Sequence, residues 1–360
     1  MSRQPRKSRA AFASPAQQGP IGAGMFRVGP LMATPALLTE LGVDPGKLLA
    51  EFGLETANFQ DPEHTLPFAL VSRIFGRCVE CTGCEHFALL VGQRAGAPSL
   101  GAIGYLMLSS ATVGSALGVL TEHLNVQDRG AVAAVRIDSD RVSLSYSIVE
   151  PGVEHVDQVY GISMAVARNI MRGLCGSDWC PDAVEFAFSK PRDVEPYRRF
   201  FHVTPRFDVG ETALIFPART LDQPLPSADV LLNKLMQQRV EELAFRSIGD
   251  VEERVRRLLR LMITSPDCSL TTVAQRIDTH ERTLKRQLAA ANTSFRAIRE
   301  EVRFEAACQF LANTRVPVGE VAFIVGYSDP SAFTRAFQRW SGSAPSQWRA
   351  AMKRRPLGRR

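Results

Sequence analysis

Hydrophobic residues recur at three- and four-residue spacing from residue 25 to about residue 124, which is typical of amphipathic helices. Gly42 and Gly53 suit the ends of two predicted helices. Asp44-Pro45 suits the start of one, because an Asp side chain caps free N–H groups and proline fits the first helical turn. This part of the chain is therefore predicted to be helical.

The spacing then changes to alternation on both sides of Asp138-Ser139-Asp140, which predicts a β-hairpin. A helical pattern follows over residues 155–174, and further strands are predicted at residues 183–188 and 212–216. Residues 25–228 are therefore predicted to form one α+β domain.

Beyond this domain every segment is predicted to be helical. Residues 229–250 are predicted to connect two domains through a helix that ends before Gly249-Asp250. Leu231, Leu235 and Leu243 lie near one face of this helix, which suits either a joining helix or a dimer interface.

Positive charge is concentrated at the C-terminal end. The whole chain has a net charge of +6. Residues 250–360 contain 20 basic and 11 acidic residues, a net charge of +9, and the remainder has a net charge of −3. This asymmetry fits a polyanionic partner for the C-terminal part, and it fits a role in solubility equally well.

The ends of the chain and its cysteines favour a cytoplasmic protein. Residues 1–24 are basic but lack the apolar stretch of a signal peptide, so we expect a disordered leader, with Met25 as an alternative translation start. No apolar run approaches the ~18 residues of a membrane span. The seven cysteines follow no regular framework and are expected to be reduced.

A helix-turn-helix pattern covers residues 269–291. Ser269 suits the N-cap of its first helix, and Asp278-Thr279-His280 form the turn. The spacing of Arg282, Lys285 and Arg286 places three cations on one face of the second helix, where Thr283 adds a hydroxyl. Such a face suits the DNA major groove, and a solvated surface is the alternative.

A second unit covers residues 318–341. Gly326 suits a left-handed helix stop, and Asp329-Pro330 suits an N-cap followed by the first helical position. The candidate DNA contacts on its outward face are Ser331, Thr334, Arg335 and Gln338, with Arg339 placed to reach a phosphate.

One helix is predicted to join the two units, over residues 294–313, with Phe295, Ile298, Val302 and Ala306 buried. At 1.5 Å per residue its length is ~27 Å. Major-groove faces recur about every 34 Å along a duplex, so this helix can hold both units over one side of DNA.

The segments Thr293–Arg296, Gly319–Gly342 (GEVAFIVGYSDPSAFTRAFQRWSG) and Ala344–Arg349 closely resemble the signature of the AraC/XylS family of transcription regulators. The resemblance covers about residues 251–349 and implies that both second helices enter successive major grooves. His280 stands where the family usually has Ser, so Thr279 or a neutral His280 would have to cap the second helix of the first unit.

Residues 41–45, 98–105, 197–201 and 221–226 resemble the arabinose-binding-like domain of OruR/VirS-type AraC regulators. This resemblance implies effector sensing and dimerisation. The expected fold is multidomain: an α+β N-terminal sensor and dimerisation domain, then an all-α domain of two helix-turn-helix units joined by a linker helix, and a basic tail over residues 350–360.

The expected partners are operator DNA, an unidentified small-molecule effector, a second copy of the chain and, for an activator, RNA polymerase. No cofactor is expected. Tyr105, His123 and Tyr146 are candidates for an effector pocket, and core or surface positions are the alternative for all three.

The sequence also contains candidates for two other kinds of site. Cys78, Cys81, Cys84 and His86 have ligand types that suit Zn²⁺ or a redox sensor, but their spacing is compressed and buried cysteines often only pack. Cys175 and Cys180 flank Trp179 and suit packing. Gly161–Ala165 is a degenerate nucleophile elbow around Ser163, but a helix precedes it where a strand is required, so no enzymatic activity is expected.

Overall fold

The computed structural model describes residues 24–150, 152–246, 251–262, 268–277 and 279–354. The predicted leader up to residue 23, the Gly249-Asp250 break, Asp278 of the first turn and the tail from residue 355 lie outside the described residues. Within the described ranges, none of the helices combines the length and apolarity that crossing a bilayer requires.

The N-terminal region combines helices with two antiparallel sheets, which confirms the α+β prediction. Its helices and strands are, in chain order, β1 (Met25–Arg27), α1 (Thr34–Glu40), α2 (Pro45–Ala50), β2 (Thr65–Pro67), α3 (Phe68–Thr82), α4 (Phe87–Gly92), α5 (Ala102–Leu108), α6 (Val113–Gln127), β3 (Ala131–Asp138), β4 (Arg141–Ile148), α7 (Val156–Cys175), β5 (Ala183–Glu185), α8 (Glu195–Phe201), β6 (Ala213–Pro217) and α9 (Val230–Arg246).

The predicted hairpin is present as β3 and β4, with Asp138 opposite Arg141. The larger sheet has the strand order β3-β4-β6-β5. Residues two apart on a strand point to the same side, so Val142, Leu144 and Tyr146 lie on one face of β4, and all three are buried. Helix α7 packs against β4 and β6, and together they form part of the N-terminal core.

One detail of the helical prediction for the first hundred residues was wrong. The residues of β1 and β2 pair as a small sheet, with Phe26 opposite Leu66, because strands of three residues are too short to show alternation. The helical pattern between Gly101 and Leu124 corresponds to two helices, α5 and α6. The Ser109 and Ser110 hydroxyls donate to the Leu106 carbonyl at the end of α5, and Thr112 then caps α6.

From residue 251 every described element is a helix, as predicted. These helices are α10 (Val251–Leu261), α11 (Leu270–Arg276), α12 (Glu281–Ala290), α13 (Phe295–Asn313), α14 (Val318–Ile324), α15 (Pro330–Ser341) and α16 (Pro345–Arg354).

Helix α13 belongs to two separate cores. In its first half, Ile298 and Val302 pack with residues of α10, α11 and α12. In its second half, Ala307 and Leu311 pack with residues of α14 and α15. Phe295 and Ala306, which we expected to be buried, are only partly so. Each helix-turn-helix unit therefore has its own core, and α13 joins the two.

Candidate nucleic-acid interface

One helix of each unit starts with the side-chain cap that the sequence predicted, α11 in the first unit and α15 in the second. The Ser269 hydroxyl accepts a hydrogen bond from the Thr272 N–H at 3.1 Å. The Asp329 carboxylate accepts from the N–H groups of Ser331 and Ala332 at 2.9 and 3.1 Å, and these bonds lower the pKa of Asp329 because they stabilise its charged form. His280 occupies the N-cap position of α12 but its side chain makes no capping bond, so the suggested His280 cap is absent.

The two turns share one backbone arrangement. The Thr279 N–H donates to the Ala274 carbonyl, and the Tyr327 N–H donates to the Ala322 carbonyl, both at 2.9 Å. Both alanines are buried, so small side chains stand where the two helices of each unit meet. Gly326 has a φ of +80°, which confirms the predicted left-handed stop.

Two arginines that the sequence analysis did not single out hold these turns. Arg254 on α10 donates to the Ile277 carbonyl at 3.2 Å, and Arg303 on α13 donates to the Gly326 carbonyl at 2.8 Å. Arg303 also stacks over the Tyr327 ring, 4.8 Å from its centroid. Carbonyls at helix ends need donors, so both arginines position the second helix of a unit. Each reaches 23 residues along the chain, and no local pattern marks such a contact.

The nine candidate DNA contacts all lie on α12 and α15, the second helices of the two units. Their opposite faces are buried through Leu284 and Leu288 on α12 and through Phe333 and Phe337 on α15. Thr283 and Thr334 are partly buried, and the exposed candidates are Arg282, Lys285, Arg286, Ser331, Arg335, Gln338 and Arg339.

Several of the cations on these faces have acidic neighbours. Lys285 lies 4.0 Å from Glu281, Arg335 lies 4.0 Å from Asp329, and Arg339 lies 3.5 Å from Glu300 on α13. Among the described residues, Arg282 and Arg286 have no carboxylate within this distance. Exposed ion pairs contribute little free energy, so a DNA phosphate can replace these partners.

The three candidate effector contacts lie in different surroundings. Tyr105 is 48% exposed on α5, and His123 on α6 is partly buried outside the cavity lining. Tyr146 lines a cavity of about 70 Å³ between the larger sheet and helices α6 and α7.

This cavity is apolar except for a few groups around a buried carboxyl, Asp128, which is 1% exposed. The Tyr146 hydroxyl donates to Asp128 at 2.5 Å, and the Gly130 N–H donates at 2.8 Å. Burial disfavours the charged carboxylate and raises the pKa of Asp128 to about 7, despite these bonds. The cavity thus offers an apolar space with one polar end. The sequence analysis missed Asp128.

The cysteine-rich segment and Ser163 show no catalytic or metal-binding geometry within the part of the chain that the structure describes. Cys78 is buried, Cys81 is exposed, and burial raises the pKa of the Cys78 thiol to about 12. No three His, Cys, Asp or Glu side chains of the described residues are grouped to hold a metal. Ser163 lies inside α7, where its hydroxyl donates to the Val159 carbonyl at 2.8 Å.

Comparison with known proteins places both regions in one family. Residues 42–225 match the family described as the arabinose-binding domain of AraC transcription regulator, N-terminal, and residues 273–351 match a helix-turn-helix domain family. The regulator VirS of Mycobacterium tuberculosis is 27% identical over 316 residues, which cover 87% of this chain and 93% of VirS. The ornithine utilization regulator of Pseudomonas aeruginosa is 28% identical over 319 residues, 88% of this chain and 93% of that protein.

The solved structure of the transcriptional regulator CdpR from P. aeruginosa covers 89% of this chain and 96% of its own, at 22% identity and a TM-score of 0.44. The arabinose-binding family match extends over half of the chain, and the helix-turn-helix match runs from within α11 to beyond the end of the second unit. The chain belongs to the AraC family of helix-turn-helix transcription regulators.

Proposed function

We propose that the protein binds operator DNA by inserting α12 and α15 into successive major grooves of one duplex. The observation that carries this proposal is the pair of exposed polar faces, one on the second helix of each unit, joined through the shared helix α13. Its 19 residues correspond to ~28 Å. That length approaches the spacing of about 34 Å between neighbouring major-groove faces.

We assign base contacts to the centre of each face and phosphate contacts to its rim. Arg282, Lys285, Arg286 and Arg335 are the candidate base readers, because arginine and lysine donate to the O6 and N7 atoms of guanine. Arg339 suits a phosphate, because Glu300 holds its guanidinium toward α13. Binding is expected to weaken steeply with salt, since displaced counterions contribute much of the affinity.

Operator affinity of an Arg335→Ala variant tests this proposal. Genome-wide mapping of bound sites first supplies a duplex, and fluorescence anisotropy then measures its affinity for the full chain. Loss of a bidentate guanine contact should weaken binding by about 1–3 kcal/mol. The control is Arg192→Ala, which removes an equal charge from a side chain that is 94% exposed in the N-terminal region. Equal affinities of the two variants would reject the role of Arg335.

We further propose that the protein works in the cytoplasm as a homodimer under the control of a small-molecule effector. The Tyr146 cavity suits an apolar effector group whose polar end meets Asp128 and the Tyr146 hydroxyl. Tyr146→Phe should weaken effector binding and leave operator binding without effector unchanged. Reporter transcription from a mapped operator then separates activation, in which RNA polymerase is a further partner, from repression.

A further inference from the structure

A second cavity lies between the N-terminal region and the DNA-binding region, and no described residue lines both it and the Tyr146 cavity. Its volume of about 380 Å³ is within the range of roughly 300–1,000 Å³ that is usual for small-molecule sites, which often lie between domains. The two regions touch at its edge. The Arg315 N–H donates to the Asp208 carboxylate at 3.1 Å, and Ile324 at the end of α14 lies against Gly210.

The charged side chains that line this interdomain cavity already have partners. The pairs are Arg136 with Glu211 at 2.8 Å, Arg260 with Glu305 at 3.1 Å, and Glu185 with Arg206. Glu150, which also lines the cavity, is not without a partner. A charged ligand would have to break one of these interactions or lose its hydration without gaining a counterion, and both are unfavourable. The lining therefore favours an uncharged ligand.

Apolar side chains from both regions border the same space. They include Val302, Ala306 and Phe310 on α13, and Ile148, Tyr160 and Ala187 in the N-terminal region. Protein interiors are close-packed, so apolar atoms around an open space of this size lack contacts that an occupant would supply. Phe310 and Tyr160 contribute one ring from each region, which suits a flat aromatic ligand. The Ser147 hydroxyl adds a neutral group that can donate or accept a hydrogen bond.

We propose that the interdomain cavity binds an uncharged, largely apolar small molecule of the size of a two-ring aromatic alcohol. Its rings lie between α13 and the N-terminal region, and its hydroxyl meets the neutral polar groups of the lining. This ligand differs from the effector proposed above, because the Tyr146 cavity of about 70 Å³ is too small for two fused rings. A ligand that contacts both regions favours the arrangement in which they are docked. The contact faces on α12 and α15 stay exposed in that arrangement, so ligand and DNA can bind together.

Equilibrium dialysis of the full chain at neutral pH with three probes of one shape tests the chemistry. Naphthylmethanol is uncharged, naphthylmethylamine is a cation and naphthoate is an anion, all substituted at the same ring position. Naphthylmethanol should bind saturably. Each charged probe should bind at least about tenfold more weakly, because its ion loses hydration and finds no free counterion. Absence of saturable naphthylmethanol binding overturns the proposal, and so does equally tight binding of either charged probe.

Two variants with matched controls test the location. Ala306→Met fills the cavity from α13, whereas Ala312→Met adds the same volume at an exposed position of the same helix. A Cβ at Gly210 would lie 3.0 Å from Ile324 Cδ1, so Gly210→Leu forces the two walls apart, whereas a Cβ at Gly118 on α6 meets open space and Gly118→Leu is its control. Naphthylmethanol binding should fall about tenfold in the two cavity variants and stay unchanged in the controls. Equal binding by a cavity variant and its control overturns the assignment to this cavity.

A third variant tests whether charge pairing sets the preference for an uncharged ligand. Glu211→Gln leaves the Arg136 guanidinium at the cavity without its partner, and Glu242→Gln breaks an exposed pair on α9 as the control. Naphthoate should bind the Glu211 variant about threefold more tightly than the parent chain, a small gain because Arg136 is partly exposed to solvent. Naphthylmethanol binding should stay unchanged. Naphthoate affinity that is the same in both variants overturns the argument from pairing.

Hydrogen exchange with and without naphthylmethanol tests the bridging role. Peptides from both walls, residues 208–212 and 302–310, should gain protection together, and protection of only one wall contradicts the bridge. Neither this readout nor dialysis involves DNA, so both stand apart from the proposed operator contacts. Naphthylmethanol should also leave a fluorescent operator duplex bound to the full chain, and displacement of the duplex would contradict joint binding of ligand and DNA.

Discussion

The buried carboxyl of Asp128 predicts an unusual dependence of stability on pH. In the folded chain this group keeps its proton up to about pH 7, whereas an unfolded Asp releases it near pH 3.8. Within that window the folded state binds more protons than the unfolded state, so the free energy of unfolding falls as the pH rises. One proton changes it by about 1.4 kcal/mol per pH unit, and the folded group loses part of its proton as the pH approaches 7, so raising the pH from 5 to 7 should lower the free energy of unfolding by roughly 2 kcal/mol.

Asp128→Asn removes this contribution, because Asn has the shape of the protonated acid and carries no charge at any of these pH values. Urea unfolding at pH 5, 6, 7 and 8 is followed by pulsed hydrogen exchange in the peptide that covers β4, which separates the N-terminal region from the DNA-binding region. The variant should gain stability relative to the parent chain up to pH 7, and the difference should then become constant. Parallel curves for the two chains at all four pH values would refute the reasoning.

Three further predictions concern the DNA-binding region. Arg303→Met should destabilise the second unit by about 1.5–3 kcal/mol in chemical denaturation, because the Gly326 carbonyl loses a charged donor; unchanged stability would exclude a positioning role. Asp329→Ala should lower the melting temperature near neutral pH. Because the capping carboxylate has a lowered pKa, the difference in melting temperature from the parent chain should vanish only when the pH falls below that pKa. Leu311→Ala and Ile298→Ala should each lower the free energy of unfolding by about 2–5 kcal/mol. Hydrogen-exchange protection should be lost mainly around α15 in the Leu311 variant and mainly around α12 in the Ile298 variant. The same pattern of loss in both variants would contradict two separate cores.

The helical elements of the DNA-binding region could be predicted from the sequence, because their signals are local. The cap at Asp329, the proline after it and the positive φ at Gly326 depend on the backbone of a few neighbouring residues. Helical spacing likewise placed Leu284 and Phe333 inside and Arg282 and Arg335 outside, so the candidate DNA contacts could be named without coordinates.

Long-range contacts could not be predicted from these local signals. Side-chain partners far apart in the chain are set by packing, and no periodic pattern encodes them. Arg303 reaches the turn of the second unit, and the paired β-strands bring Tyr146 to Asp128 across 18 residues. Packing also decides the exposure of Tyr105. Its neighbours in sequence are apolar, and they do not show that the Tyr105 side chain itself is exposed to solvent. The cavity between the N-terminal and DNA-binding regions is the extreme case, because residues as far apart in the chain as Glu185 and Glu305 line it and meet only when both regions have folded.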